Sequence, residues 1–186
     1  MAFLVLFLAV FSRVLPALLH VTGANVTMLG AGLLFFGASL RRGRRLWVLL
    51  AVALLAASDY WLTAYAYGYP FHVAGYLPTW LWYGVVCLGA SAGLRRGHSI
   101  ARIGVAALAS STGFFLLSNG MVWLRGSMYP HTAAGLGACY TAGLPFYRND
   151  LASTLVFSAV FFALPLFAAA LRGTAEAMQD HGAGIL

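Results

Sequence analysis

The chain has 186 residues, of which 62% are hydrophobic and only 8% are charged. A soluble domain carries about 25% charged residues, so the composition argues against a soluble protein and predicts an integral membrane protein. The formal net charge of +7 comes from 11 basic residues, all of them arginine, against four acids. Because the arginines lie between apolar runs, they indicate membrane topology rather than a nucleic-acid-binding surface.

Six apolar segments are candidates for membrane-spanning helices. They are residues 2–20, 26–40, 46–65, 78–94, 100–124 and 151–171. A helix needs about 20 apolar residues to cross the hydrocarbon core, and the second and fourth segments are short. Gly30, Gly32 and Gly37 would allow neighbouring helices to approach the second one closely. The predicted fold is an all-α integral membrane bundle of six transmembrane helices, with one domain over 1–172 and a short cytoplasmic tail over 173–186.

The arginines also predict the orientation of the spans. The runs "RRGRR" (41–45) and "RRGHSIAR" (95–102) connect spans on one side, and Arg172 follows the last span. Cytoplasmic connections carry an excess of basic residues, so we place this side and both termini in the cytoplasm. The first segment lacks a basic n-region and a small-residue cleavage site, and we interpret it as a retained span.

Two charged residues fall inside predicted spans. Asp59 lies toward the outer end of the third span, and Arg13 lies in the first span, shortly before Pro16. A carboxylate within a span costs about 3 kcal/mol and usually faces a polar interior or a cavity. Asp59 is therefore a candidate both for ligand binding and for an ion pair with Arg13 or Arg148. We interpret Arg13 as structural.

The predicted outer connections are 20–26, 66–78 and 125–150, and the second of these contains an unusual stretch. In "YGYPFHVAGYLPTW" (67–80), aromatic residues that include Tyr76 surround His72. An aromatic belt at the membrane interface explains most of these rings. His72 is either an ordinary loop residue or a ligand, since neutral imidazole commonly binds metals.

Several other polar residues lie near the outer ends of predicted spans. His20 and Asn25 flank a turn after the first span, and Ser118 and Asn119 lie near the end of the fifth. Helix capping or packing accounts for these residues as well as ligand binding does. The two cysteines have no CxxC spacing, which gives no sign of a zinc site or a disulfide framework. No catalytic motif occurs in the sequence, so we predict that the protein is not an enzyme.

Four segments carry a resemblance to a known family. They are "ANVTMLGAGLLFFGA" (24–38), "LLAASDY" (54–60), "SNGMVWL" (118–124) and "YPHTAAGLGACYTAGLPFYRND" (129–150). They resemble small bacterial six-span membrane proteins related to the S components of energy-coupling-factor (ECF) vitamin transporters. Within that group the chain is most similar to the BtuM-like solitary S components, which transport cobalamin.

The resemblance implies a multi-pass protein of the bacterial inner (cytoplasmic) membrane with an outward-facing corrinoid pocket. Cobalamin would be a bound substrate and not an intrinsic cofactor. The implied partners are the lipid bilayer and the corrinoid, without nucleic acid and without a dedicated ATPase module. A low level of cobalamin-modifying activity would be compatible with this assignment.

The resemblance also implies roles for particular residues. BtuM-like proteins use a cysteine after the third span to coordinate cobalt, and by spacing His72 takes its place here. His20 and Asp59 match positions at which these proteins keep polar residues, and Arg148 matches the arginine of "PFYRN". The expected ligand-binding residues are His72, Asp59, His20, Tyr76, Asn25, Asn119 and Arg148, with His72 as the cobalt ligand. Imidazole is the donor class of cobalamin's own lower ligand, so we expect binding without reductive removal of cyanide.

Two alternatives stay open at this point. The same pocket could bind another vitamin or a metal, with His72 acting as a hydrogen-bond donor. The protein could also be an accessory subunit of a larger membrane complex, in which His20 and His72 bind haem.

Overall fold

The computed structural model describes residues 1–19, 26–94 and 99–183. The helices are α1 (Ala2–Leu18), α2 (Leu29–Ser39), α3 (Val48–Trp61), α4 (Val73–Gly93), α5 (Ile100–Arg125) and α6 (Ala133–Ala183). A 3-10 turn, Arg42–Trp47, precedes α3, and a π-helical turn, Leu62–Ala66, follows it. The described part of the chain is entirely helical apart from its connections.

Helix α2 lies at the centre of the bundle, where α1, α4, α5 and α6 contact it. All of its residues from Leu29 to Ala38 are buried. Its 11 residues give a length of about 16 Å, well below the roughly 30 Å of a hydrocarbon core. A helix that is apolar on every face is stable when neighbours cover it on all sides.

The glycines of α2 allow these neighbours to approach. A methyl group on Gly32 would overlap Ala9 in α1, and one on Gly37 would overlap a backbone carbonyl of α4. A methyl group on Gly30 would lie 2.5 Å from Thr154 Oγ1 in α6. The predicted role of these three glycines is therefore confirmed.

A serine in α1 fixes the start of α2. The Ser12 hydroxyl donates to the Ala9 carbonyl oxygen over 2.7 Å and accepts from the Met28 backbone N–H over 3.0 Å. The first N–H groups of a helix have no partner within the helix. Ser12 thus satisfies a backbone donor at the entry to α2 and couples the first two helices.

Large apolar side chains cover the outer surface of the bundle. Leu49, Leu81 and Val105, on α3, α4 and α5, are 66%, 70% and 67% exposed. Exposed apolar area on this scale indicates contact with lipid or with another protein.

Three helical segments, Gly43–Ala66, Val73–Gly93 and Ile100–Arg125, are long and apolar enough to cross a membrane. The helices α1 and α2 are apolar but shorter. The prediction of an all-helical fold with membrane-spanning helices is confirmed at this level.

Residues 125–150 differ most from the sequence prediction. The connection after α5 is short, and the polypeptide is helical from Ala133 onward. This segment packs along α5, where the Tyr140 hydroxyl donates to the Leu116 carbonyl oxygen over 2.8 Å. The alanines and glycines of this segment favour a loop when the sequence alone is considered. In the structure they allow close packing between helices. The helix also continues through residues 173–183, where the sequence predicts a separate tail, and α4 begins before the predicted residue 78.

Candidate functional site

An ion pair joins the first and third helices near one end of the bundle. Arg13 Nη2 lies 2.6 Å from Asp59 Oδ1, and Arg13 Nη1 donates to Ser58 Oγ over 2.9 Å. The second carboxylate oxygen, Oδ2, accepts from Trp80 Nε1 over 2.8 Å. The predicted Arg13–Asp59 pair is confirmed, and it links α1, α3 and α4.

The ion pair forms part of the wall of a cavity of about 580 Å³. The other lining residues come from the end of α1, the start of α2 and the connection between α3 and α4. They are Pro16, Thr27, Leu62, Thr63, Tyr67, Tyr69, Pro70, His72, Gly75 and Tyr76. Small-molecule pockets occupy roughly 300–1,000 Å³, so the cavity has the size of a ligand site. We refer to it as the His72 cavity.

The connection between α3 and α4, which lines this cavity, begins with an unusual turn. The backbone N–H of Tyr67 donates to Leu62 O over 2.9 Å, and that of Tyr69 donates to Thr63 O over 2.8 Å. Gly68, between them, has a φ of +67°, which glycine adopts without a steric penalty. The π-helical turn and Gly68 together reverse the chain and bring the loop back over the cavity.

His72 is the residue immediately before α4. Its backbone is extended, with φ −117° and ψ 104°, and its side chain does not cap the helix. The ring is exposed at the cavity and forms no hydrogen bond with any residue that the structure describes. Within the described part of the chain, the imidazole is therefore not engaged by another side chain.

Three aromatic rings stack beside His72. Phe71, Tyr76 and Trp80 contact one another, with ring centroids 5.0 Å apart for Phe71 and Tyr76, 5.9 Å for Tyr76 and Trp80, and 6.4 Å for Phe71 and Trp80. The hydroxyls of Tyr76 and Thr63 share a hydrogen bond of 2.5 Å. We call Phe71, Tyr76 and Trp80 the aromatic wall.

The sequence interpretation missed two residues of this region, Thr63 and Trp80. An interface belt explains Trp80 adequately in the sequence, whereas the structure shows it bonded to the Asp59 carboxylate. Thr63 has no distinguishing signal beyond its position four residues after Asp59, on the same face of the helical segment.

The other predicted ligand-binding residues divide into two groups. Asp59, His72 and Tyr76 meet at the His72 cavity, whereas Asn119 and Arg148 do not line it. The expected clustering of Arg148 with His72 is therefore wrong, because residues 133–150 run along α5 instead of forming an outer loop. Arg148 is exposed on α6. His20 and Asn25 lie outside the described residues.

A second cavity, of about 230 Å³, lies between α5 and α6. Its lining residues are Ser111, Phe114, Phe115, Ser118, Asn119, Gly143, Phe146, Tyr147 and Asp150. We refer to it as the Asp150 cavity. The sequence interpretation had placed Asp150 at an outer boundary and gave it no role.

No group of three or more histidine, cysteine, aspartate or glutamate side chains that could hold a metal ion occurs among the described residues. His72 therefore offers a single imidazole at its cavity. A bare zinc ion usually takes three or four protein ligands, so the site as described does not fit one.

Over the described residues the protein is all-helical, with three helical segments long and apolar enough to span a membrane and a ligand-sized cavity at one end of the bundle. The chain belongs to a family of unknown function, DUF6580, whose model matches residues 1–176. No curated protein and no solved structure matches the chain.

Proposed function

We propose that this protein is a membrane substrate-binding protein or transporter for cobalamin or a related corrinoid. The ligand occupies the His72 cavity, and His72 is the axial ligand of its cobalt. The observation that carries the proposal is the exposed imidazole of His72 at a cavity of about 580 Å³, where it is the one histidine among the described lining residues.

A single protein ligand is appropriate for a metal that arrives inside a macrocycle. The ring supplies the equatorial ligands, and the protein adds only an axial one, as in haem proteins. The lower ligand of cobalamin is itself an imidazole-type nitrogen. His72 therefore replaces it without a change of donor class.

The walls of the cavity suit a large ligand with a rigid ring. Tyr76, which lines the cavity, offers a flat ring that Phe71 and Trp80 support from outside the lining, and the ion pair of Arg13 with Asp59 holds the adjoining helix ends together. Hydroxyl groups of Thr27, Tyr67 and Tyr69 also border the space. Corrinoids carry amide side chains around the ring, for which hydroxyl groups are suitable hydrogen-bond partners. The cavity would enclose one face of the ring, with the remainder outside it.

The orientation of α3 supports an outward-facing cavity. This helix begins after the arginine run at 41–45 and ends at the cavity near Asp59 and Thr63. Since basic connections face the cytoplasm, the cavity faces the opposite side. We propose six spans, cytoplasmic termini and a location in the bacterial inner membrane, with no dedicated ATPase module.

The test compares the wild type with His72→Ala after purification from cells grown with cobalamin. We expect a red protein with a corrinoid spectrum, and a shift of the cobalt-sensitive visible band in the variant. Binding of cobalamin and of cobinamide, which lacks the lower ligand, is measured by calorimetry. A colourless protein that binds neither compound would contradict the proposal.

A smaller vitamin is the second candidate ligand. The cavity volume falls within the range for drug-sized ligands, and the Arg13 guanidinium borders it. A smaller ligand would be enclosed completely, with His72 as a hydrogen-bond donor. Native mass spectrometry separates this case from a corrinoid by the mass of the bound molecule, while a Soret band would indicate haem.

A further inference from the structure

The Asp150 cavity lies between two antiparallel helices, α5 and α6. Bonds between the two segments follow an antiparallel order: Trp123 Nε1 in α5 donates to the carbonyl oxygen of Pro130, just before α6, over 2.9 Å, and the hydroxyls of Thr112 in α5 and Tyr147 in α6 share a bond of 2.9 Å. The next residues in this order are Asp150 and Ser111, which both line the cavity. Asp150 therefore lies near the midpoint of the 26-residue helix α5.

The Asp150 carboxylate has no cationic partner in the described part of the chain, where Arg13–Asp59 is the ion pair observed. Arg148 lies two residues earlier on α6, and side chains two apart do not face each other on a helix. A carboxylate inside a membrane-spanning bundle is costly unless a partner neutralises it. The geometry therefore leaves a negative charge without a described counter-charge.

Neutral oxygen atoms border the same space. The Ser111 hydroxyl is buried, with the residue 2% exposed; it forms no hydrogen bond of normal geometry with a described residue, and the Asp150 carboxylate lies within its reach. Ser118 and Asn119 direct their donors to the Phe115 carbonyl oxygen, over 3.4 Å and 2.9 Å. The Ser118 oxygen and the Asn119 Oδ1 thus keep lone pairs for a further partner.

A glycine makes room for the asparagine. A methyl group on Gly143 would lie 2.5 Å from Asn119 Oδ1. The amide oxygen consequently packs against the bare backbone of α6 at Gly143. Substitution of Gly143 would push Asn119 out of this position.

We infer that the Asp150 cavity is a binding site for a monovalent metal cation, held by the Asp150 carboxylate with Ser111 and Asn119 as neutral oxygen ligands. Oxygen donors suit hard cations. One carboxylate balances one positive charge, whereas sites for divalent calcium combine several carboxylates with other oxygens.

The rest of the cavity fits such an ion. A volume of about 230 Å³ exceeds that of a bare ion and leaves room for a few waters, each of which takes about 30 Å³. These waters would complete the coordination shell. The aromatic side chains at Phe114, Phe115 and Phe146 lower the local polarity, which strengthens the attraction between cation and carboxylate. The inference rests on none of the evidence for a corrinoid.

The experiment uses the purified full-length protein and measures saturable ²²Na⁺ binding together with thermal unfolding. NaCl is titrated against N-methyl-D-glucamine chloride at constant ionic strength. A ligand that binds only the folded state raises the unfolding midpoint in a saturable way. We expect such a response in the wild type, its loss in Asp150→Asn, and a roughly tenfold weaker affinity in Ser111→Ala, the size expected for one bond to a charged group.

The matched control is Thr141→Ala on the exposed face of α6, whose hydroxyl bonds only to the Gly137 carbonyl oxygen over 2.8 Å. Its Na⁺ response should equal that of the wild type. The inference is overturned if wild type and Asp150→Asn respond to salt with the same slope. It is also overturned if tetramethylammonium binds saturably but neither Na⁺ nor K⁺ does, because the aromatic residues would then hold an organic ammonium. If Asp150→Asn does not fold, the Ser111→Ala comparison decides the question.

Discussion

Two carboxylates lie inside the helix bundle, and their surroundings are opposite. Asp59 has a partner for each oxygen, the Arg13 guanidinium on one side and the Trp80 indole on the other. Asp150 faces a cavity whose other polar groups are neutral. In the first arrangement the carboxylate charge is neutralised by its partners and links the helices. The second leaves the charge available to a cation from solution.

Replacing the paired carboxylate should have the largest effect. Asp59→Asn leaves the Arg13 guanidinium without its counter-ion beside Trp80. Loss of one member of a buried ion pair costs 3–5 kcal/mol, and because Arg13 is 21% exposed we expect about 3 kcal/mol. Reversible unfolding in detergent measures the change.

The comparison with Asp150→Asn tests the contrast directly. Removal of an unpaired charge from the interior should leave the free energy of unfolding unchanged or raise it in sodium-free buffer. Equal destabilisation by the two substitutions would mean that Asp150 also has a structural partner. The contrast between the two carboxylates would then be wrong.

The glycine faces of α2 give the next prediction. Gly32→Leu forces α1 away from α2 at Ala9, and overpacking of this kind costs about 1–3 kcal/mol. Gly89→Ala in α4 is the matched control, because an added methyl group there meets no neighbour within 4 Å. It should stabilise by about 0.5–1 kcal/mol, and a loss in the control would show that the space around α4 is not free.

Trp80→Phe isolates the hydrogen bond to Asp59. The ring stays in the aromatic wall while the indole donor is lost. A hydrogen bond to a charged group contributes about 1.5–3 kcal/mol, and we expect a loss near 1.5 kcal/mol because the Arg13 contact persists. Trp82→Phe is the control, since the Trp82 indole donates to a neutral carbonyl oxygen over 3.2 Å and should lose less. A larger loss of stability in Trp82→Phe than in Trp80→Phe would show that the hydrogen bond to Asp59 is not the stronger of the two.

His72→Ala should have the smallest effect on stability. The ring is exposed and does not cap α4, so the free energy of unfolding should change by less than about 0.5 kcal/mol. The substitution should nevertheless shift the cobalt-sensitive visible band of a bound corrinoid. A stability loss of several kcal/mol would instead indicate a structural histidine.

The sequence predicted features that follow from rare residues in an apolar chain. With few charged residues in the spans, Arg13 and Asp59 were natural partners, and the three glycines of α2 stood out in a short apolar segment. The helical start of α6 was not predictable in the same way. Its glycines, alanines and Pro145 read as a loop, and only packing against α5 determines that the segment is helical.

This misassignment also hid the second cavity. In the sequence, Asp150 follows an apparent outer loop, so its depth beside Ser111 has no visible signal. Arg148 was grouped with His72 for the same reason. Local composition identified the polar and charged residues that could bind a ligand. The packing of α5 against α6 determines which of them lie close together.

The shortness of α2 has a consequence for the transport that we propose. This helix begins beside Thr27, which lines the His72 cavity, and ends before Arg41. In a bilayer with a hydrocarbon core of about 30 Å, its length of about 16 Å accounts for only half of the thickness. In the transport that we propose, a molecule bound at Thr27 would lie about half of the way across, and the remaining barrier would be correspondingly thin.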